Sequence, residues 1–324
     1  MIRMKEITFS IDNDLIEFNS YLKESTKSNV DLVNIIINYA IKNKGKQLRP
    51  VLCLLSAKLL SNPNKSSIIA ASLIEMLHVA TLIHDDIVDD SPIRRGWPSV
   101  KTIWKNKIAL LMGDYIFSKA LSNMIKLKSF DALEILSDTA NRLSQGELLQ
   151  MERAKTKKMD ESTYLRMISD KTASLFSASA EIGAITVNAP YKERKALKTF
   201  GEKLGIAFQI KDDLFDIVGN QDGLGKPIGF DVKKNILTLP FIHLICGLDA
   251  KAKRKIISRL RYYAKKKDLN SVKKMIIDSG SMKYAEEFMS KISKEAIREL
   301  NIFKESDAKK SLILLVKYNL ERSQ

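Results

Sequence analysis

Glycine and proline are scarce in this sequence, 13 and 7 among 324 residues. A chain rich in sheet needs them at its turns, so their scarcity disfavours a barrel or sandwich. Cysteine is scarcer still: Cys53 and Cys246, each inside an apolar run. No disulfide framework and no thiolate metal site are expected from two such residues, and a reducing, cytoplasmic setting fits them best. No stretch approaches the roughly 18 uninterrupted apolar residues of a membrane span. The opening MIRMKEITFSIDND mixes charges too early for a signal peptide, so the expectation is a soluble protein. Hydrophobic residues make up 45% of the chain, enough for a sizeable core.

Acidic residues are the other shortage, 38 against 54 Lys and Arg, for a net charge of +16. Residues 251–324 carry 20 Lys or Arg against 9 Asp or Glu. Such an excess attracts nucleic acid, anionic lipid or anionic substrates, and a solvated lysine face answers to the same numbers. No helix-turn-helix or base-stacking motif is evident, so nucleic acid is not an expected partner. Peripheral contact with an anionic membrane is.

What the sequence has in abundance is the helical period. VDLVNIIINYAI, IAASLIEMLHVATLI and ALEILSDTANRLSQGELLQM all space apolar residues three and four apart. The few breaks, at 45–50, 61–66, 89–99, 187–193 and 218–231, delimit these helices. With no repeat of solenoid length, the spacing predicts one all-α bundle over residues 1–324, with the basic segment 251–324 packed on as further helices.

The scarce acidic charge is concentrated. In LIHDDIVDDSPIRRG, Asp85 and Asp89 fall one helical turn apart, about 6 Å along the axis. Like charges at that spacing repel, and they persist where water, arginines or cations neutralise them. The residues before them are apolar, which argues against full solvation. A second cluster, Asp212, Asp213 and Asp216 in IAFQIKDDLFDIVG, repeats the D-D-x-x-D spacing. One copy is as consistent with a solvated helix end as with a site. Two copies behind apolar approaches favour an oxygen-only cage for hard cations, and Mg²⁺ binds in this way through a few carboxylates plus the phosphates of a substrate. The implied ligand is a diphosphate. ATP could meet the same demand, but no phosphate-binding glycine loop is present. Cations stand close by: Arg94 and Arg95 follow the first cluster, and GKQLRP supplies Lys46 and Arg49 where Pro50 suggests a helix start. His78, seven residues before Asp85, shares its face two turns deeper and reads as core or ligand.

Taken in order, GKQLRP, HVATLIHDDIVDD, RRGWPSV, GDYIFSKAL, GELLQ, DKTASLFSAS, FQIKDDLFD and GKPIGFDVKKNILTLP resemble the trans-isoprenyl diphosphate synthases, the polyprenyl synthetase family. The resemblance implies an isoprenoid synthase-type helical bundle around a deep central cavity, usually as a homodimer. It implies that Asp85, Asp89 and Asp212 bridge Mg²⁺ to an allylic diphosphate, with Asp86, Asp213 and Asp216 in support. It assigns Lys46, Arg49, His78 and Arg95 to isopentenyl diphosphate, and Arg94, Lys171, Thr172 and Gln209 to the allylic substrate. Thr172 and Gln209 would direct oxygen dipoles toward a carbocation.

Below Asp85 stand Ala80 and Thr81, where short-chain members carry bulky aromatics. Small residues there leave the cavity open, so the chain resembles long-chain, octaprenyl synthases that make quinone side chains, with Phe117 and Met124 as candidate floor residues. A shorter geranylgeranyl or heptaprenyl product, or a noncatalytic subunit of a heteromeric synthase, are the alternatives. Two positions depart from the pattern. Ile236 replaces a family lysine that contacts phosphate, which predicts weaker allylic affinity unless Lys233 or Lys234 reaches in, and Lys105 stands where W-G-N is frequent. A terpene cyclase is disfavoured, because the second cluster reads D-D-x-x-D and not N-D-x-x-S-x-x-x-E.

Overall fold

Apolar residues at helical spacing wind into helices through nearly all of the computed structural model, which describes residues 2–42, 45–156, 159–218, 237–266 and 269–322. The helices are α1 Met4–Thr8, α2 Asp12–Ser25, α3 Asp31–Lys42, α4 Leu48–Leu60, α5 Lys65–Val88, α6 Val100–Leu127, α7 Phe130–Thr156, α8 Glu161–Ile168, α9 Ser174–Ile185 and α10 Tyr191–Val218. After them come α11 Leu239–Ile245, α12 Ala250–Lys266, α13 Leu269–Asp278, α14 Ser281–Glu299 and α15 Asp307–Glu321.

The central helix is α5. Asn64 starts it with a capping box: its side chain accepts from the amides of Ser66 and Ser67, and the Ser67 hydroxyl accepts from the Asn64 amide at 3.1 Å. Its residues are then apolar on almost every side, because α4, α6, α9 and α2 pack around it. Among the described residues it is long and apolar enough to cross a membrane by length and composition, yet 72% of that apolar window is buried inside the bundle. Helices approach most closely at glycine. A Cβ added to Gly183 of α9 would fall 2.2 Å from the carbonyl oxygen of Cys53 in α4, so only hydrogen fits between the two backbones there.

Among the described residues, the buried apolar side chains form two clusters. Phe18, Leu52, Leu54, Leu55, Phe176 and Phe200 belong to the first, between α2, α4, α5, α9 and α10. The second joins Tyr164 of α8 and Ile210 and Leu214 of α10 to Phe241, Leu260, Ile276 and Met289, so the basic helices dock through their own apolar faces. Each such side chain, fully buried, contributes about 1.5 to 3 kcal/mol.

Between α5 and the start of α6 the chain departs from plain helix in two places. After α5 the chain makes a small antiparallel ladder, β1 Ile93–Arg94 against β2 Trp97–Pro98, turning through Arg95 and Gly96 with φ of 53° and 78°. Positive φ at both central residues fits a tight hairpin. Near the start of α6, Lys105 holds φ 68° and ψ 165°, a conformation nearly reserved for glycine. That geometry gives a physical reason for the glycine expected there: lysine is tolerated at the cost of backbone strain.

Candidate active site

The C-terminal end of α5 carries Asp85, Asp86 and Asp89, and 3.6 residues per turn divides them between two faces. Asp85 faces α7 and the turn before α9. Burial, with Glu147 and Asp89 nearby, pushes its carboxyl up to about 6 despite the opposing pull of Lys171 and Arg94. Asp86 faces the other way. It is 3% exposed, and Arg94 donates to its Oδ1 from Nε at 2.8 Å. It lines a cavity of about 70 Å³ with Val79, Leu82, Ile83 and Tyr39, on the hairpin side of α5. The pair Asp86–Arg94 therefore ties the hairpin to α5, while the Arg94 charge also acts on Asp85.

Between α8 and α9 the helix widens into a π turn, Ser169–Ala173, which carries Lys171 and Thr172. Burial lowers the proton affinity of Lys171, but Glu147 and Asp85 more than reverse this and hold it charged. Its Nζ lies 2.5 Å from Oε2 of Glu147 and donates to Oε1 of Gln150 at 3.1 Å. Thr172 donates to Oε1 of Gln209 at 2.7 Å, and Gln209 Nε2 donates to Asp213 at 2.8 Å. Tyr164 closes the relay by donating to the other oxygen of Asp213 at 2.6 Å. An ionised carboxylate only accepts, so Asp213 fixes which end of the Gln209 amide faces Thr172. With both oxygens engaged and 5% exposure, Asp213 is a support of the site. Asp216 lies one turn beyond Asp212 on α10.

The two clusters meet through these contacts: Asp85 and Asp89 act on Lys171, its neighbour Thr172 bonds α10, and Arg49 feels Asp212. Arg49 lies over the ring of Phe176 at 4.6 Å and donates from Nη1 to Nε2 of His78 at 3.1 Å. Desolvation lowers Arg49 to about 10, with Glu75 opposing, and it remains a cation at neutral pH. His78 titrates well below its ordinary range because it is desolvated and Arg49, Arg95 and Arg94 repel a further positive charge. It stays neutral and accepts. Arg95 lies over Gly45, where an added Cβ would fall 2.7 Å from its Cζ, so the hairpin brings it to the GKQLRP turn. Lys46 sits 5.0 Å from the ring of Tyr318 on α15.

Sequence reasoning passed over several neighbours. Glu147 and Gln150 lie inside GELLQ, and their i, i+3 spacing places both on one face of α7, which was a usable signal. Arg322 gave none, because it arrives from the far end of the chain. It donates to Asp212 at 2.6 Å and to the carbonyl of Phe208 at 3.0 Å, with its guanidinium 4.0 Å from the Phe208 ring. The basic tail is thus more than a solvated face. Ile236, Lys233 and Lys234 lie outside the described residues.

The donor set tests the fit to a metal. The carboxylates Asp85, Asp89 and Asp212 offer oxygen alone, the chemistry of a hard divalent cation. Among the described residues, no group of three or more His, Cys, Asp or Glu is gathered so as to hold a metal ion by itself. Carboxylates that stop short of a full coordination sphere suit Mg²⁺, which completes it with water and substrate phosphate.

Comparison with known proteins agrees with this geometry. The family model for polyprenyl synthetase matches residues 30–278. Octaprenyl diphosphate synthase of Haemophilus influenzae is 30% identical over 323 residues, covering 100% of this chain and 98% of the relative. Heptaprenyl diphosphate synthase component 2 of Bacillus subtilis is 33% identical, covering 97% of this chain and 89% of the relative. Among solved structures, polyprenyl synthase from Caulobacter crescentus, complexed with calcium and isoprenyl diphosphate, superposes with a TM-score of 0.91 at 30% identity, covering 99% of this chain and 98% of that one. An all-α isoprenoid synthase bundle, two acidic clusters joined through Lys171 and Thr172, and full-length similarity lead to one conclusion: this chain belongs to the polyprenyl synthetase family and is a prenyltransferase.

Proposed function

We propose that the protein condenses isopentenyl diphosphate head to tail with an allylic diphosphate, using Mg²⁺, to build a long all-trans polyprenyl diphosphate of octaprenyl length, a precursor of quinone side chains. The observation that carries this reading is the convergence of Asp85 and Asp89 with Lys171, Thr172 and Gln209. Bound Mg²⁺ would supply charge to the departing diphosphate, held by Asp85, Asp89 and Asp212. Lys171 is a preformed cation for the same oxygens. Lys46, Arg49 and Arg95 gather the second diphosphate, with neutral His78 accepting from Arg49 and fixing its guanidinium. Thr172 and Gln209 face the allylic carbon with oxygen dipoles, favouring the cation that forms as its carbon–oxygen bond breaks. The isopentenyl double bond attacks that carbon, and the departed diphosphate takes the proton lost from the resulting cation, so no acyl-transfer triad is required.

The octaprenyl assignment rests on the small Ala80 and Thr81 below Asp85, and relatives named for octaprenyl and heptaprenyl products share similar identity with this chain. Purified protein incubated with Mg²⁺, labelled isopentenyl diphosphate and allylic starters of several lengths should give a ladder ending at forty carbons. Loss of all transfer in chelator is expected. A final product of twenty carbons would replace the length assignment, and no transfer by the protein alone would favour the noncatalytic subunit.

We also propose that residues 1–324 act as one unit, as a cytoplasmic homodimer. Leu110, Leu111, Leu121 and Ile125 line one face of α6, and Phe130, Leu133, Leu148 and Met151 one face of α7, with Ile125 77% and Phe130 88% exposed. Apolar stripes of that extent mark interaction surfaces. Sedimentation should give twice the mass of the chain, and Ile125→Glu should reduce it. Peripheral contact with anionic lipid is proposed for α12, which carries Lys251, Lys253, Arg254, Lys255 and Arg259 without an acidic residue in its length. Vesicles containing phosphatidylglycerol, but not phosphatidylcholine alone, should then co-sediment the protein.

A further inference from the structure

Lys171 and Thr172 lie in a π turn, a backbone form that needs outside support because its hydrogen bonds are wider than those of the helices it joins. That support comes from α7. Arg142 donates from Nε to Oδ1 of Asp170 at 2.8 Å, and from Nη2 to Oγ of Ser169 at 2.8 Å. The same guanidinium reaches across to α10, with Nη2 2.6 Å from Oε1 and Nη1 3.3 Å from Oε2 of Glu202. The Ser169 hydroxyl donates to Oε1 of Glu202 in turn. One planar fork therefore ties the two residues preceding Lys171 to the helix that carries Gln209 and Asp212, a geometry that lysine cannot reproduce.

One turn further along α7, Gly146 makes a second, independent contact. A Cβ built on it would lie 2.6 Å from the amide nitrogen and 3.0 Å from the Cα of Lys171. The backbone of α7 thus rests directly on the backbone of Lys171. An ordinary bundle contact could be held by apolar packing. Here a fork of charged hydrogen bonds and a glycine contact both fall on the five residues that present the allylic-side groups.

We propose that Arg142 and Gly146 are positioning residues for the allylic half of the site, setting the height and direction of Lys171 and Thr172 through the π turn. This rests on the reading of the site given above. Neither residue touches the groups assigned to isopentenyl diphosphate, so their loss should be felt on one substrate and not the other.

The test uses the full chain as wild type, Arg142→Lys, Arg142→Gln and Gly146→Ala, with kcat and the KM for each diphosphate measured separately alongside Tm. Displacement of a positioned group by about 1 Å costs on the order of 100-fold in rate. The expected result is therefore an allylic KM raised or kcat lowered by about 10- to 100-fold in Arg142→Lys and Gly146→Ala, with the isopentenyl KM within about 2-fold of wild type. If Arg142→Gln fails to fold, the other two variants still decide the matter. Full retention of wild-type parameters by Arg142→Lys, or both KM values rising together as Tm falls, would overturn the inference and leave the fork a bundle brace. Wild-type protein that transfers no prenyl group would instead overturn the reading of the site and this inference with it.

Discussion

Replacing Asp85 by Asn should make the metal-free protein more stable while removing its activity. The folded state raises the Asp85 carboxyl from 3.8 to about 6, chiefly by burial. Between those values the folded protein keeps a proton that the unfolded chain has released, so stability falls as pH rises through that window. Above it the cost of the ionised group is fully present. At about 1.4 kcal/mol per pH unit the shift amounts to about 3 kcal/mol, and partial solvation of the side chain reduces this to about 1.5 to 3. For a chain of this size the variant should melt about 2 to 4 °C above wild type at pH 8 in chelator, with the gap closing as pH falls toward 4. Adding Mg²⁺ and a diphosphate should then raise the wild-type Tm and leave the variant nearly unmoved, while prenyl transfer falls at least about 100-fold. Thermal unfolding across pH, with and without Mg²⁺, reads all of these. A variant less stable than wild type in chelator, or equally responsive to Mg²⁺ and diphosphate, would refute the reasoning.

Thr81→Phe places an aromatic ring one turn below Asp85, and product sizing should show the chains shortened with transfer retained. Lys105→Gly relieves the positive φ at the α6 kink and should stabilise the protein by about 1 to 3 kcal/mol in denaturant unfolding, with kcat unchanged. Gly183→Ala drives a methyl against the Cys53 carbonyl between α4 and α9, and the same measurement should show a loss of about 1 to 3 kcal/mol.

Much of this was legible in the residues alone. Helical periodicity announced the bundle because burying one face of a helix requires apolar residues every three to four positions. The paired clusters announced a cation and diphosphate because repeated like charge behind apolar sequence needs neutralisation. The motifs around Lys46, Arg49, His78, Lys171 and Gln209 carried the family resemblance; Lys171 faces the charge of Asp85, Gln209 bonds Asp213, and Arg49, which feels Asp212, bonds His78.

Local sequence could not tell which of two adjacent aspartates faces the site. Asp85 and Asp86 look alike in a string, but a rotation of 100° about α5 gives one to Lys171 and the other to Arg94. Nor could it pair Arg322 with Asp212 or Arg142 with Glu202, since those partners stand 110 and 60 residues apart. Composition and period determined that this chain would be helical and would hold concentrated acid; side-chain direction and long-range approach, which only packing fixes, decided that Asp85 meets Lys171 while Asp86 and Asp212 meet arginines.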